Sequence, residues 1–220
     1  MEKIINGIIE NKIIVIFRKL YDEDLLLTAE ALYQGGIRCF EVTFDQADVH
    51  CLDKTTKAIK LLNTNFPDVF VGAGTVLTEK QVDAACKAGA KYIISPNTNL
   101  TVMKITKNHN LISIPGALTP TEILLANEAG ADLVKLFPSN SIGLSYIKDL
   151  TGPLNNIKFM LAAGINESNL IDYLKIGCVA FGISGRLTDQ KLIKEKKYAE
   201  LTSRAQEMVA IVKAFNQSKK

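Results

Sequence analysis

The sequence contains no tryptophan, and histidine is limited to His50 and His109 in 220 residues. Cysteine is limited to Cys39, Cys51, Cys86 and Cys178, with no Cys-x-x-Cys pair. With so few imidazoles to complete a ligand set, that spacing predicts no zinc site. The thiols read as small hydrophobes in a reducing, cytoplasmic setting. His50 falls in a polar loop ahead of a helix and His109 near a helix end, so neither is a candidate catalyst. Long apolar runs are missing as well. Near the N-terminus the longest is 13–17, closed by Lys12 and Arg18, against the roughly 20 residues of a membrane span. No signal-peptide cleavage pattern accompanies it. A strong excess of either charge is also absent, the formal net charge being +3. Eight Lys or Arg and three Glu gather in 191–220, leaving 18 Lys or Arg against 20 Asp or Glu elsewhere. That basic end lacks interleaved aromatics and repeats its apolar residues at helical spacing. It reads as a solvated helix face and not as a nucleic-acid surface.

What is present is alternation. Short β-branched runs occur at 13–17, 37–43, 69–74, 91–95, 111–114, 132–137, 157–161 and 178–182. Between them lie segments of helical period, such as Leu25, Leu26, Ala29, Leu32 and Tyr33, or Val82, Ala85, Cys86 and Ala88. Glycine punctuates the passage from helix to strand at Gly36, Gly89, Gly130 and Gly177, where a left-handed helix cap is cheap. Thr78 with Gln81, Thr119 with Pro120 and Glu122, and Asn166 with Ser168 mark helix starts. A last helix is expected over 195–217, burying Tyr198, Leu201, Ala205, Met208, Val209, Val212 and Phe215, with fraying over 217–220. A chain of this length suits one domain, taken as 1–220. Repeated strand and helix with right-handed crossovers is best satisfied by a single α/β (β/α)₈ TIM barrel. An open doubly wound sheet is the alternative, and no Gly-x-Gly-x-x-Gly after the first strand supports it.

In such a barrel the chemistry sits at the C-terminal strand ends. The polar residues expected there are Arg18, Glu41, Thr43, Thr75, Ser95, Lys135, Ser184 and Arg186. Strand alternation puts Lys135 on the face of Leu133 and Phe137, opposite Val134 and Leu136. If the latter pair meets the helices, Lys135 points into the barrel. It is then either an amine whose lowered pKa equips it to attack a ketone, or a lysine that pairs with a carboxylate and fills space. The same parity turns Cys39, Glu41 and Thr43 inward. Glu41 is either the proton carrier of that chemistry or half of a simple buried pair. Gly72-Ala73-Gly74-Thr75-Val76 either admits a ligand close to the backbone or marks a packing-driven bend. Pro96 and Pro115 either stiffen the rim as walls of a pocket or are plain loop punctuation.

In this order, Glu41-Val42-Thr43, Gly72-Ala73-Gly74-Thr75-Val76, Ser95-Pro96, Pro115-Gly116 with Thr119-Pro120-Thr121-Glu122, and Lys135-Leu136-Phe137-Pro138 resemble the class I 2-keto-3-deoxy-6-phosphogluconate and 4-hydroxy-2-oxoglutarate aldolases over nearly the whole chain. The resemblance implies a homotrimer of barrels that cleave a 4-hydroxy-2-keto acid to pyruvate and an aldehyde, glyceraldehyde 3-phosphate or glyoxylate, without metal or organic cofactor. It implies that Lys135 forms the imine and Glu41 serves as general acid and base. By the same resemblance Arg18, Gly74 and Thr75 hold the pyruvate carboxylate, Thr43 lines the site, and Pro96 and Phe137 pack against the pyruvyl carbons. Gly164, Ser184 and Gly185 would meet the far end of the substrate.

The departures bear on that far end. In many members an arginine follows Glu-Val-Thr, where this chain has Phe44-Asp45-Gln46. After strand seven Leu161-Ala162-Ala163-Gly164 replaces the usual Pro-Thr-Gly-Gly, and after strand eight Gly182-Ile183-Ser184-Gly185 replaces Gly-x-Gly-Ser. Backbone N–H groups that would face a phosphate are altered, and Arg186 could supply a compensating charge or be a surface residue. A related sugar acid such as the 6-phosphogalactonate stays open as substrate. So do a phosphate-binding barrel isomerase and an inactive relative.

Overall fold

The computed structural model describes residues 1–218. The expected fraying at the C-terminus falls in part on Lys219 and Lys220, which lie outside the described residues. Nine parallel strands carry the sheet: β1 Ile13–Phe17, β2 Cys39–Thr43, β3 Phe70–Gly74, β4 Tyr92–Ile94, β5 Ile112–Ile114, β6 Gly116–Ala117, β7 Val134–Leu136, β8 Phe159–Ala162 and β9 Ala180–Ile183. Their order is β5-β4-β3-β2-β1-β9-β8-β7-β6. β5 and β6 are halves of one stave, parted at Pro115, whose missing N–H cannot join a ladder. Across this stave the sheet closes: β5 pairs with β4, and β6 with β7. Asp132 N also donates to Ser113 O at 2.9 Å and Lys135 N to Pro115 O at 2.8 Å. The result is the expected (β/α)₈ barrel, and the open sheet is excluded.

Ten helices accompany the staves among the described residues: α1 Glu2–Asn11, α2 Asp22–Gln34, α3 Cys51–Asn65, α4 Glu79–Lys87, α5 Leu100–Asn108, α6 Pro120–Glu128, α7 Ser139–Thr151, α8 Leu170–Lys175, α9 Gln190–Lys194 and α10 Tyr198–Gln217. Among the described residues none is long and apolar enough to cross a membrane. The predicted punctuation is present. Gly36, Gly89, Gly130 and Gly177 have φ of +94°, +90°, +87° and +96°, and Thr78 with Gln81 and Thr119 with Glu122 form complete capping boxes. Two expectations shift. The helix marked at Asn166 begins at Leu170, because Asn166 Oδ1 closes a local turn by accepting from Ser168 N at 2.9 Å. The last helix begins at Tyr198, since Lys196 turns left-handed at φ +53° and separates the short α9 from it.

Pleat parity sorts the core into two clusters. Phe40, Val42, Val134 and Leu136 face the helices within the large outer cluster. Ile14, Cys39, Tyr92, Ile94, Ile112, Ile114, Leu133, Met160 and Ala180 fill the barrel interior. Helix α1, unforeseen in the sequence reading, closes the N-terminal end: Ile4, Ile5 and Ile8 pack on that interior, and a Cβ at Gly7 would overlap the Phe70 ring. The lower barrel is therefore sealed with hydrocarbon, and the upper layer is where Glu41 and Lys135 stand.

Candidate active site

β2 and β7 are four steps apart in the strand order, on opposite sides of the barrel. Glu41 and Lys135 accordingly face each other across the axis, 0% and 3% exposed. No direct ion pair joins them among the described residues, and both Glu41 oxygens are buried without a hydrogen-bond partner. A buried acceptor left unmade costs about 1–3 kcal/mol, more when charged.

The electrostatics follow from this enclosure. Burial pushes the Glu41 carboxyl above the usual carboxylate range, while Lys135 and Arg18 pull it back down. Burial pulls Lys135 below the ordinary ammonium value, Glu41 opposes this, and Arg18 adds to the lowering. The two groups are thus driven toward each other's proton: a carboxyl that tends to keep one and an amine that tends to lose one. Lys135 Nζ lies 4.8 Å from the centroid of the half-buried Phe137 ring. Arg18, exposed at the end of β1, makes no hydrogen bond or ion pair among the described residues and acts on both groups through its charge.

The glycine-rich end of β3 has a packing reason on each inward position. A Cβ at Gly72 would overlap the Tyr92 ring, and one at Gly74 the Glu41 carboxylate. Tyr92 forms the floor, its hydroxyl donating to Phe40 O at 2.6 Å and Phe70 O at 3.2 Å. Thr75 follows at φ +54°. A β-branched residue in that region is an outlier that costs about 1–3 kcal/mol.

Other expected residues are partly occupied by structure. Thr43 is buried and its hydroxyl donates to Phe17 O at 3.1 Å. Ser95 donates to Val76 O at 2.7 Å, which ties β4 to β3 and removes it from the site. Pro96 is half-buried and its backbone crowds Gly116, where a Cβ would collide. Gly164, Ser184 and Gly185 lie on the β8 and β9 loops, with no hydrogen bond to Glu41 or Lys135. Ala163 stands at φ +85° and Gly164 at +77°. Ser139 Oγ, at the start of α7, donates to the Ala162 and Ala163 carbonyls at 2.9 and 2.8 Å. The backbone N–H groups of Ala163, Gly164, Ser184 and Gly185 have no partner among the described residues. Arg186 does not offer a free charge, because its Nε donates to Glu167 Oε1 at 2.6 Å. Sequence reasoning missed Tyr92 and Ser139. Gly72, at inward parity on β3, was the available signal for Tyr92, since a glycine there implies a large neighbour filling its place.

Residues 4–204 match the KDPG and KHG aldolase family model. The 2-dehydro-3-deoxy-phosphogluconate aldolase of Haemophilus influenzae is 32% identical over 213 residues, covering 96% of this chain and 98% of that one. The 2-dehydro-3-deoxy-6-phosphogalactonate aldolase of Escherichia coli is 29% identical over 208 residues, 94% and 95% of the two chains. The crystal structure of the KDPG aldolase of Legionella pneumophila, with pyruvate captured at low pH as a covalent carbinolamine intermediate, superposes with a TM-score of 0.81 at 28% identity, over 92% of this chain and 97% of that one. With the family model spanning nearly its whole length, this chain belongs to the KDPG and KHG aldolase family.

Proposed function

We propose that the protein is a class I aldolase that cleaves a 4-hydroxy-2-keto acid to pyruvate and an aldehyde through an imine on Lys135. The observation that carries this reading is the unpaired couple across the barrel: a buried amine with lowered pKa facing a buried carboxyl with raised pKa. The neutral Lys135 amine attacks the C2 carbonyl to give a carbinolamine, and Glu41 supplies the proton with which water leaves. In the protonated imine that results, removal of the C4 hydroxyl proton breaks the C3–C4 bond, whose electrons enter the imine as an enamine while the aldehyde departs. Glu41 then returns a proton to C3, and hydrolysis frees pyruvate and Lys135. An amine carbinolamine with pyruvate is the species captured in the Legionella relative.

In this reading Arg18 and the Gly74–Thr75 turn receive the substrate carboxylate, and Thr43, Pro96 and Phe137 border the pyruvyl carbons. The unpaired N–H groups at Ala163, Gly164, Ser184 and Gly185 suit an anionic far end. Relatives acting on 6-phosphogluconate- and 6-phosphogalactonate-derived acids match this chain to nearly equal extents. The substrate is therefore one of these acids or 4-hydroxy-2-oxoglutarate. The chain acts as one domain over 1–220. Exposed Leu100, Leu124, Leu125 and Leu144 on the successive helices α5, α6 and α7 fit burial in a homotrimer.

The test is incubation with pyruvate and borohydride, then intact mass and peptide mapping. A reduced pyruvyl adduct on Lys135 is the expected result. A folded protein that takes up no label, or takes it up elsewhere, refutes the imine.

A further inference from the structure

The outlier at Thr75 is held by more than its own strand. Phe44 N donates to Gly74 O at 2.9 Å, and Val76 N to Ile94 O at 3.2 Å, which fixes the chain on both sides of it. The Thr75 carbonyl accepts from Gln46 Nε2 at 2.8 Å. Gln46 Oε1 in turn accepts from Gln81 Nε2 at 3.0 Å. Gln81 is 5% exposed, and its own Oε1 accepts from Leu77 N at 2.7 Å and Thr78 N at 3.2 Å. One amide side chain from the β2–α3 loop and one from the first turn of α4 therefore grip the turn from outside. In the stretch from Gly74 to Leu77, the Thr75 N–H and hydroxyl are left without a partner among the described residues.

We propose that Gln46 and Gln81 are positioning residues. They form a latch that keeps the Thr75 turn in its left-handed conformation and so sets the affinity for the carboxylate of the 2-keto acid. Turning the Thr75 carbonyl outward to Gln46 is what points the free N–H and hydroxyl toward the mouth. Without the latch a β-branched residue relaxes toward negative φ, and the two donors lose their common aim. Neither glutamine touches the ligand. The proposal rests on the reading of the Thr75 turn as the carboxylate site.

Two variants separate the latch from the fold. Gln46→Leu removes the donor to Thr75 at an exposed position. Gln81→Glu keeps the oxygen that caps α4 but loses the donor to Gln46. Borohydride trapping is measured against pyruvate concentration and, in parallel, against methyl pyruvate, which has the same ketone and no carboxylate charge. For both variants the half-saturating pyruvate concentration is expected to rise about tenfold, the scale of one hydrogen bond. The limiting trapping rate and the methyl pyruvate curve should stay as in the parent. Unchanged pyruvate saturation overturns the latch, as does an equal shift for both ketones, while trapping of the parent on Lys135 keeps the aldolase reading. A parent that is not trapped at all overturns both.

Discussion

Lys135→Met removes the ammonium at nearly constant volume and leaves Glu41 alone across the barrel, with Arg18 as the remaining cation. Breaking a buried charge couple costs about 3–5 kcal/mol when the survivor must stay charged, but a carboxyl can take up a proton instead. In the unfolded chain Glu41 ionises near the ordinary glutamate value of about 4.3. In the folded chain burial raises its pKa, so the native state keeps a proton the unfolded state has released. Stability then falls as pH rises, by at most about 1.4 kcal/mol per pH unit, until the folded carboxyl itself ionises. In the parent, the Lys135 ammonium closes that window earlier. Lys135 adds the opposite slope: its folded pKa is lowered, so between that value and about 10.4 the unfolded state binds the extra proton and stability rises with pH. Both effects widen the gap between parent and variant as pH increases. The assay is urea unfolding at about pH 5, 7 and 9, with the linear extrapolation compared at each pH. The expected result is a variant close to the parent near pH 5 and about 2–4 kcal/mol less stable near pH 9. Adding Glu41→Gln to Lys135→Met should abolish the variant's own falling slope. A stability difference that is the same at all three pH values would refute the buried, mutually coupled couple.

Two further perturbations test the packing around that couple. Gly74→Ala places a methyl group on the Glu41 carboxylate; an overpacking cost of about 1–3 kcal/mol in thermal or urea unfolding is expected, with aldol turnover falling by more than the folded fraction does. Ala163→Gly relieves a left-handed alanine at φ +85°, worth about 1–2 kcal/mol in the folded state and offset by about 0.4–1 kcal/mol of unfolded-chain entropy; a small rise in melting temperature is expected, and a fall would show that the Ala163 methyl group makes a contact that outweighs the strain.

The legible part of this protein is the part set by short-range periodicity. The alternating runs, the four helix-ending glycines and the Thr78 and Thr119 boxes each depend on residues within one turn of one another, and each appears where the sequence places it. The inward direction of Glu41 and Lys135 was legible for the same reason, since pleat parity is local. What was not legible depends on partners far apart in sequence. Gly74 reads equally as room for a ligand or as a packing-driven bend, and which neighbour crowds it, Glu41, 33 positions earlier in the chain, shows only in the fold. Arg186 reads as a compensating charge or as a surface residue, and its ion pair with Glu167 appears only when the β8 loop brings that residue to it. Ser95 reads as a site hydroxyl, and its bond to Val76 O exists only because β3 and β4 are neighbours. Helix α1 was missed for a different reason. Its isoleucines at positions 4, 5 and 8 form an apolar stripe that serves to plug the barrel, a task no repeat of the strand-helix unit announces.

Two of the strained rim residues, Thr75 and Ala163, give the site a direction. Thr75 follows β3 and Ala163 follows β8, and these staves, like β2 and β7, stand four apart in the closed order. Each strained turn has its carbonyl held from outside, Thr75 by Gln46 and Ala163 by Ser139, and each leaves N–H groups without partners. An extended acid with an anion at either end can therefore lie along the β3–β8 diameter. The β2–β7 diameter carries Glu41 and Lys135, and the two diameters meet on the barrel axis. In the proposed reaction, a ketone next to a carboxylate at the β3 rim would lie toward the axis, between the Lys135 amine on one wall and the Glu41 carboxyl on the opposite wall. The same crossing explains why the couple is left unpaired. A lysine and a glutamate in direct contact would neutralise each other, whereas opposed staves leave both Glu41 oxygens without a partner among the described residues. In the proposed reaction recognition and chemistry use different pairs of staves, so the rim loops can change what is held at the far end without moving Glu41 and Lys135.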